Sequence, residues 1–150
     1  MNEISDLSCG LVGEHLVCAD LILNGYRAFR TEQTCPYDVA VDHGGRIVRV
    51  QVKAARGPRR CTSESGGKWN PAYMWSTRRA GKRGRREYPL NEFDVLALVA
   101  VDIRRVAYVK WTGQQHVQIP APDTERKVAG KGSVMRRVRD FDSCTFEGAL

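Results

Sequence analysis

Three polar residues, Asp38, Gln51 and Lys53, interrupt a stretch of the chain that is otherwise rich in valine. A carboxylate is the kind of ligand that a hard cation such as Mg²⁺ prefers, and a lysine beside it can orient a water molecule or stabilise negative charge. In a metal site, a second acid would be expected where Gln51 stands. An amide oxygen can also ligate a cation, but it carries no charge, so the residue types predict a metal site with one carboxylate missing.

Two strands joined by a tight turn would position these residues. Residues 37–42 and 46–55 alternate between apolar and polar side chains, which is typical of strands. Between them, Gly44 and Gly45 suit a two-residue hairpin loop, because the backbone of such a loop needs positive φ angles. The sequence therefore predicts a β-hairpin at residues 37–55.

The register of this hairpin separates an apolar face from a polar one. Asp38 lies directly opposite Gln51, and Lys53 lies two residues further along the second strand. Opposite Cβ atoms in such a pair are about 4.5–5.5 Å apart, and diagonal neighbours about 7–8 Å apart. Because side chains alternate along a strand, the same register collects five valines on the other face. These are Val39, Val41, Val48, Val50 and Val52.

An amphipathic helix is predicted before the hairpin, over residues 4–24, with Gly25 as a left-handed residue that ends it. The apolar stripe of this helix needs a member at position 14, and that member is Glu14. A buried carboxylate is costly unless a cation or a lysine lies nearby, so Glu14 is predicted to face the same site as Asp38. The apolar members of the stripe are Leu7, Leu11, Cys18 and Leu21.

Further strands are predicted on both sides of the hairpin. Residues 26–30 form a short strand before it, and residues 72–77 form another after it. Residues 95–101 are continuously apolar, as in a strand buried on both faces, and residues 106–110 pair with that strand. These elements predict an α/β fold: a central mixed β-sheet with the N-terminal helix packed on it.

The charge of the chain is concentrated in one segment. The net charge is +7, yet residues 53–86 contain eleven lysines and arginines and a single acid, Glu64. Such a segment predicts contact with a polyanion, and the interleaved Trp69, Tyr73 and Trp75 are predicted to stack on nucleotides. The alternative is a solvated loop. The predicted DNA contacts are Arg56, Arg59, Arg60, Lys68, Arg78, Arg79, Lys82, Arg83, Arg85 and Arg86.

The five cysteines are scattered and form no C-x-x-C pair, so neither a zinc ribbon nor a redox motif is predicted. Scattered cysteines, odd in number, fit a reducing cytoplasm; we expect it to be that of a bacterial or phage-infected cell, as the family resemblance described below implies. Neither a signal peptide nor an apolar run of about 18 residues is present, so we expect no membrane span.

The hairpin and the helix resemble the PD-(D/E)XK nuclease superfamily. The matching residues are Pro36, Tyr37 and Asp38 ("PYD") and Gln51, Val52 and Lys53 ("QVK"), with Glu14 on the preceding helix. The likeness extends over about residues 10–110 and is specific at the hairpin and loose elsewhere. Within the superfamily, the chain most resembles the group I intron-associated, homing-type endonucleases. That branch shares the Q-x-K ending, a basic segment, and later strands such as "EFDVLALVAVD" and "RRVAYV".

The resemblance implies a single domain over residues 1–150, with a restriction endonuclease-like core at about 4–111 and a C-terminal extension at 121–150. It implies a Mg²⁺- or Mn²⁺-dependent endonuclease that cuts duplex DNA at a specific site as a homodimer or homotetramer. Lys53 would act on the attacking water. The implied catalytic residues are Glu14, Asp38, Gln51 and Lys53, and the implied metal ligands are Asp38, Gln51, Glu14 and the backbone carbonyl of Val52.

Two other functions and several structural interpretations stay open at this point. One function is a Holliday-junction-resolving nuclease, and the other is a nucleic-acid-binding module that has lost catalysis. Asp38 and Lys53 are alternatively a surface ion pair, worth about 0–1 kcal/mol. Gln51 is alternatively a solvent-facing residue, and Glu14 is alternatively a rim residue at the point where the helix leaves the sheet.

Overall fold

The computed structural model describes residues 3–60, 71–78, 88–122 and 140–150. These ranges contain one helix of 18 residues, one short helix of four residues and seven β-strands. In chain order they are α1 (Asp6–Leu23), β1 (Arg27–Arg30), β2 (Val39–His43), β3 (Arg46–Ala55), β4 (Ala72–Ser76), β5 (Val95–Ala100), β6 (Arg105–Lys110), β7 (His116–Pro120) and α2 (Phe146–Ala149).

Five strands form a mixed sheet in the order β1-β2-β3-β5-β6. β3 and β5 pair in parallel, and every other pair in this sheet is antiparallel. All six residues of β5 are buried, as the apolar run predicted. Helix α1 packs on this sheet, so the predicted α/β fold with a helix on a central mixed sheet is confirmed.

The hairpin of β2 and β3 has the register that its Gly-Gly loop predicted. Val39 pairs with Val50, Val41 pairs with Val48, and both loop glycines have positive φ angles, 59° at Gly44 and 81° at Gly45. The valine face of the hairpin is buried in the core that also receives α1. Its members are Val39, Val41, Val48, Val50 and Val52.

Helix α1 presents a different face to the sheet from the one that its leucines predicted. Its buried residues are Cys9, Gly13, Val17 and Leu21, spaced four apart. Leu7 and Leu11, expected in the apolar stripe, are 89% and 45% exposed. The reason is close packing, because a Cβ atom on Gly13 would lie only 2.9 Å from the Ala54 Cβ. Gly13 therefore faces β3, and Leu7 and Leu11 are turned outward, whereas Leu21 is buried as the stripe predicted.

The other face of the central sheet is covered by a two-stranded antiparallel sheet of β4 and β7. Tyr73 and Trp75 of β4 are 1% and 3% exposed in this second core, together with Phe141. The prediction that Tyr73 and Trp75 stack on nucleotides is therefore wrong, because their rings are internal. Trp69, predicted for the same role, lies outside the described residues.

The last residues of the chain pack against the central sheet, whereas the short helix that the sequence suggested at residues 135–140 lies almost wholly outside the described residues. The backbone N–H of Tyr108 on β6 donates to the carbonyl of Cys144 at 2.8 Å, and Phe146 of α2 enters the core beneath α1. No disulfide joins Cys9, Cys18, Cys35 and Cys144, the cysteines within the described ranges. Nor does any helix in this part of the chain have the length and apolarity to span a membrane.

Candidate active site

Asp38 lies directly before β2, where β2 and β3 separate. Its backbone N–H donates to the Val50 carbonyl at 3.0 Å. Its carboxylate oxygen Oδ2 accepts the backbone N–H of Val52 at 2.9 Å and the Gln51 side-chain Nε2 at 2.5 Å. The β2–β3 pairing ends at Val39 and Val50. Beyond it, the Asp38 carboxylate takes the place of a strand partner and accepts the backbone N–H of Val52. Within the described residues, both of these hydrogen bonds reach Oδ2, which leaves Oδ1 available to a ligand.

Gln51 is 7% exposed, so it is not the solvent-facing residue of the alternative interpretation. A buried amide needs a hydrogen-bond partner, and this one donates to Asp38. The nitrogen of the amide, rather than its oxygen, faces the carboxylate. Gln51 therefore orients Asp38 in this arrangement, and its oxygen would reach a cation bound to Asp38 only after rotation of the amide.

Glu14 reaches the same region from α1, at the border of the buried face. Its side chain is 24% exposed, and its Oε2 accepts a hydrogen bond from Arg30 Nε at 2.7 Å. Arg30 ends β1 and pairs with Val39, the residue after Asp38. No sequence motif pointed to Arg30. The strand signal at residues 26–30 was the available clue, because an antiparallel β1 beside β2 places Arg30 next to Asp38.

The electrostatics of Asp38 reflect this crowding. Burial raises the pKa of its carboxyl group, and the nearby negative charge of Glu14 raises that pKa further. The hydrogen bond from Val52 and the positive charges of Lys53 and Arg30 act in the opposite direction. Two carboxylates and two cations therefore interact around one half-buried point, and a divalent cation there would relieve the repulsion between the acids.

Lys53 projects from β3 but forms no ion pair with Asp38 within 4.0 Å among the described side chains, so the surface ion pair of the alternative interpretation is not formed. Its Nζ instead donates to the Tyr88 hydroxyl at 3.0 Å and lies 4.9 Å from the centre of the Tyr88 ring. Lys53 is half-buried, and its positive charge acts on Asp38.

The residues around Asp38 fit a hard cation better than a soft one. In the part of the chain that the structure describes, no cluster of three or more His, Cys, Asp or Glu side chains is placed to bind a metal ion. Two carboxylates, an amide and backbone groups do converge. Mg²⁺ takes oxygen ligands and usually keeps several waters, so one or two carboxylates suffice for it. The donor set therefore fits Mg²⁺ or Mn²⁺.

Four of the ten predicted DNA contacts fall within the described residues, and two of these have other partners. Arg56 forms an ion pair with Asp6 at 2.8 Å and donates to the Ile4 carbonyl at 2.6 Å, which ties it to the start of α1. Arg78 donates to Gln115 at 2.9 Å. Arg59 and Arg60 are exposed. The other six lie outside the described residues: Lys68, Arg79, Lys82, Arg83, Arg85 and Arg86.

Comparisons with known proteins agree with this fold. A bacterial homing endonuclease, I-Ssp6803I, has a similar solved structure, with a TM-score of 0.59 and 15% sequence identity over 85% of this chain and 86% of that chain. At that identity the similarity concerns the fold alone. No curated protein matches the chain. The sequence model of the PD-(D/E)XK endonucleases, nucleases that generally use divalent metal ions, matches residues 6–136, from α1 past β7. The chain therefore belongs to the PD-(D/E)XK endonuclease family.

Proposed function

We propose that this protein is a metal-dependent DNA endonuclease that hydrolyses phosphodiester bonds at a specific duplex site. The observation that carries the proposal is the convergence of Asp38, Gln51, Glu14 and the Val52 backbone where β2 and β3 separate, with Lys53 on the same strand. Membership of an endonuclease family supports the reaction class.

The cation would be bound by Asp38 Oδ1, with Glu14, the Val52 carbonyl or the Gln51 oxygen completing the protein ligands. Such a cation lowers the pKa of a bound water and neutralises charge on the phosphate. Gln51 and the Val52 N–H orient the Asp38 carboxylate. Lys53 supplies a positive charge beside the site, where it would orient the attacking water or stabilise the negative charge that develops on the phosphate.

Two further properties belong to the proposal. Site-specific cleavage is supported by the fold that the chain shares with a bacterial homing endonuclease. A homodimer or homotetramer is supported by the presence of one candidate site in the described part of the chain, because concerted cleavage of both strands needs two sites. The basic segment at residues 53–86 would bind the phosphate backbone and make binding depend on salt.

The proposal is tested by incubating the protein with supercoiled plasmid and with linear duplex in Mg²⁺ or Mn²⁺. We expect cleavage that a chelator abolishes and that Asp38→Asn and Lys53→Met each reduce by about a hundredfold to a thousandfold, the scale expected for loss of a preorganised electrostatic contact. Matched controls are Asp42→Asn, an exposed acid of the same hairpin, and Lys110→Met, an exposed lysine of β6. Both controls should cleave normally. Full activity of the Asp38 and Lys53 variants would refute the site.

The substrate is tested with a labelled four-way junction and a linear duplex of the same sequence. Preference for the linear duplex at one sequence supports the homing-type function. Preference for the junction regardless of its sequence would replace that function with junction resolution.

A nucleic-acid-binding module is the second candidate, and one observation favours it. The acid expected at position 51 is an amide, and this amide donates to Asp38 instead of offering its oxygen. Under this alternative, duplex DNA is bound with a steep salt dependence while no divalent metal supports cleavage. This alternative is eliminated if the wild-type protein and the Asp42→Asn variant both cleave DNA and the Asp38→Asn variant does not.

A further inference from the structure

Among the described residues, Tyr88 is the side chain that forms a hydrogen bond with the Lys53 ammonium. The Lys53 ammonium donates to the Tyr88 hydroxyl at 3.0 Å and lies 4.9 Å from the ring centre. The first contact is a hydrogen bond from a charged donor, and the second lies within the range of cation–π attraction. No sequence motif of the chain pointed to this tyrosine.

The tyrosine ring is fixed by its neighbours. Tyr88 is 9% exposed, and its ring packs edge-to-face against Phe93 at 5.3 Å and against Trp111 at 6.3 Å. Phe93 is itself buried just before β5, the strand that pairs with β3 beside Lys53. The hydroxyl is therefore held by the second core of the protein at a defined distance from β3.

A lysine side chain is flexible, so a fixed hydrogen-bond partner is needed to hold its ammonium in one position. Its long side chain has many rotamers, and confining it to one geometry costs conformational entropy. A rigid acceptor for one N–H of the ammonium confines the side chain before substrate binds, and it leaves the remaining N–H groups for substrate.

We propose that Tyr88 is a positioning residue for Lys53: it holds the ammonium in the geometry needed for phosphodiester cleavage without itself contacting the reacting atoms. This inference rests on the proposed nuclease function. Because the tyrosine acts on the lysine and not on DNA or metal, its loss should lower kcat while KM and the Mg²⁺ requirement stay unchanged.

The test is the cleavage rate of Tyr88→Phe, which keeps the ring and its packing and removes only the hydroxyl. We expect kcat to fall by about tenfold to a hundredfold, as for loss of one hydrogen bond to a charged group. The matched control is Tyr73→Phe. Tyr73 belongs to the same core, but its hydroxyl donates to Asp102 at 2.9 Å, so its loss should leave kcat unchanged.

A double-mutant comparison separates positioning from a general loss of structure. If Tyr88 acts through Lys53, adding Tyr88→Phe to Lys53→Met should not lower the residual single-turnover rate further. An additional drop in the double variant, or a change in KM with constant kcat in Tyr88→Phe, would overturn the inference.

The remaining outcomes distinguish failure of the positioning role of Tyr88 from failure of the nuclease function. Equal kcat in the wild type and Tyr88→Phe overturns the inference and leaves the nuclease function standing. Absence of cleavage by both the wild type and Tyr73→Phe overturns the nuclease function and the inference together. Should Tyr88→Phe fail to fold, as judged by thermal unfolding, Tyr88→Leu replaces it. That smaller apolar side chain also lacks the hydroxyl and does not overpack the core, so the same loss of kcat is expected.

Discussion

The close approach of α1 to β3 at Gly13 predicts opposite effects for two alanine substitutions three residues apart. A Cβ atom at Gly13 would lie 2.9 Å from Ala54 Cβ and 3.4 Å from Val52 Cγ1, whereas a Cβ atom at Gly10 would meet nothing within 4 Å. Both positions lie inside the same helix, so the gain in helix propensity is the same for both. The pair therefore isolates the packing contribution.

The magnitudes follow from two opposing contributions. Replacing glycine by alanine inside a helix stabilises the fold by about 0.8–1.0 kcal/mol, which is the whole expected effect of Gly10→Ala. At Gly13 the same gain is opposed by overpacking, which typically costs about 1–3 kcal/mol. Ala54 Cβ is attached to the β3 backbone and cannot rotate away, so the helix itself must move. The two variants should thus differ by about 1–3 kcal/mol in unfolding free energy.

This difference is measurable by thermal unfolding and by urea titration. For a chain of this size, a change of about 1 kcal/mol in unfolding free energy shifts Tm by about 2–4 °C. The Tm of Gly10→Ala should therefore be several degrees higher than the Tm of Gly13→Ala. Cleavage gives a second measurement. Glu14 follows Gly13 directly, and Val52 donates to Asp38, so movement of the helix should lower the cleavage rate of Gly13→Ala while Gly10→Ala stays near wild type. Equal stability and equal activity of the two variants would refute the close packing of α1 on β3.

Three further predictions concern other parts of the molecule. Hydrogen bonds from Arg49 lower the pKa of Asp94 in the folded protein. The ionised carboxylate therefore stabilises the folded state above its ordinary pKa of about 4, and this stabilisation is lost as the pH falls through the lower pKa of the folded state. Urea titrations should therefore show wild type more stable than Asp94→Asn at pH 7, with a gap that closes below about pH 4; a constant gap would contradict the linkage. Replacing Arg30 by Met removes the cation on Glu14, so calorimetry should find Mn²⁺ bound several-fold more tightly; weaker binding would mean instead that Arg30 keeps Glu14 ready for the metal. Trp75→Ala should destabilise the protein by about 3–5 kcal/mol, as expected for a buried tryptophan, and retained stability with weakened DNA binding would restore its nucleotide-stacking role.

The features that could be predicted from the sequence are those determined by residues close together in the chain. The Gly44-Gly45 loop and the alternation of valines set the hairpin register, and a register error of one residue would turn every valine out of the core. Asp38 therefore had to lie across from Gln51. The buried strand β5 was equally predictable, because only a strand covered on both faces tolerates such a continuous apolar run.

The features that could not be predicted depend on elements distant in the chain. Which side of α1 faces the sheet was decided by the contact between Gly13 and Ala54, whereas periodicity alone placed Leu7 and Leu11 on that side. The covering of Tyr73 and Trp75 depended on β7, whose own pattern is weak. In both cases the determining partner lies more than 40 residues away, so no local pattern records it.

The sequence by itself determined that an acid, an amide and a lysine share one face of a hairpin, because strand geometry is local. Only the tertiary structure decided what each of them contacts. The amide was expected to supply a weak metal ligand, and it instead donates to Asp38, since burial obliges it to find a partner. The acid on the helix meets Arg30, and the lysine meets Tyr88, because β1 and the segment before β5 are brought to the site by folding.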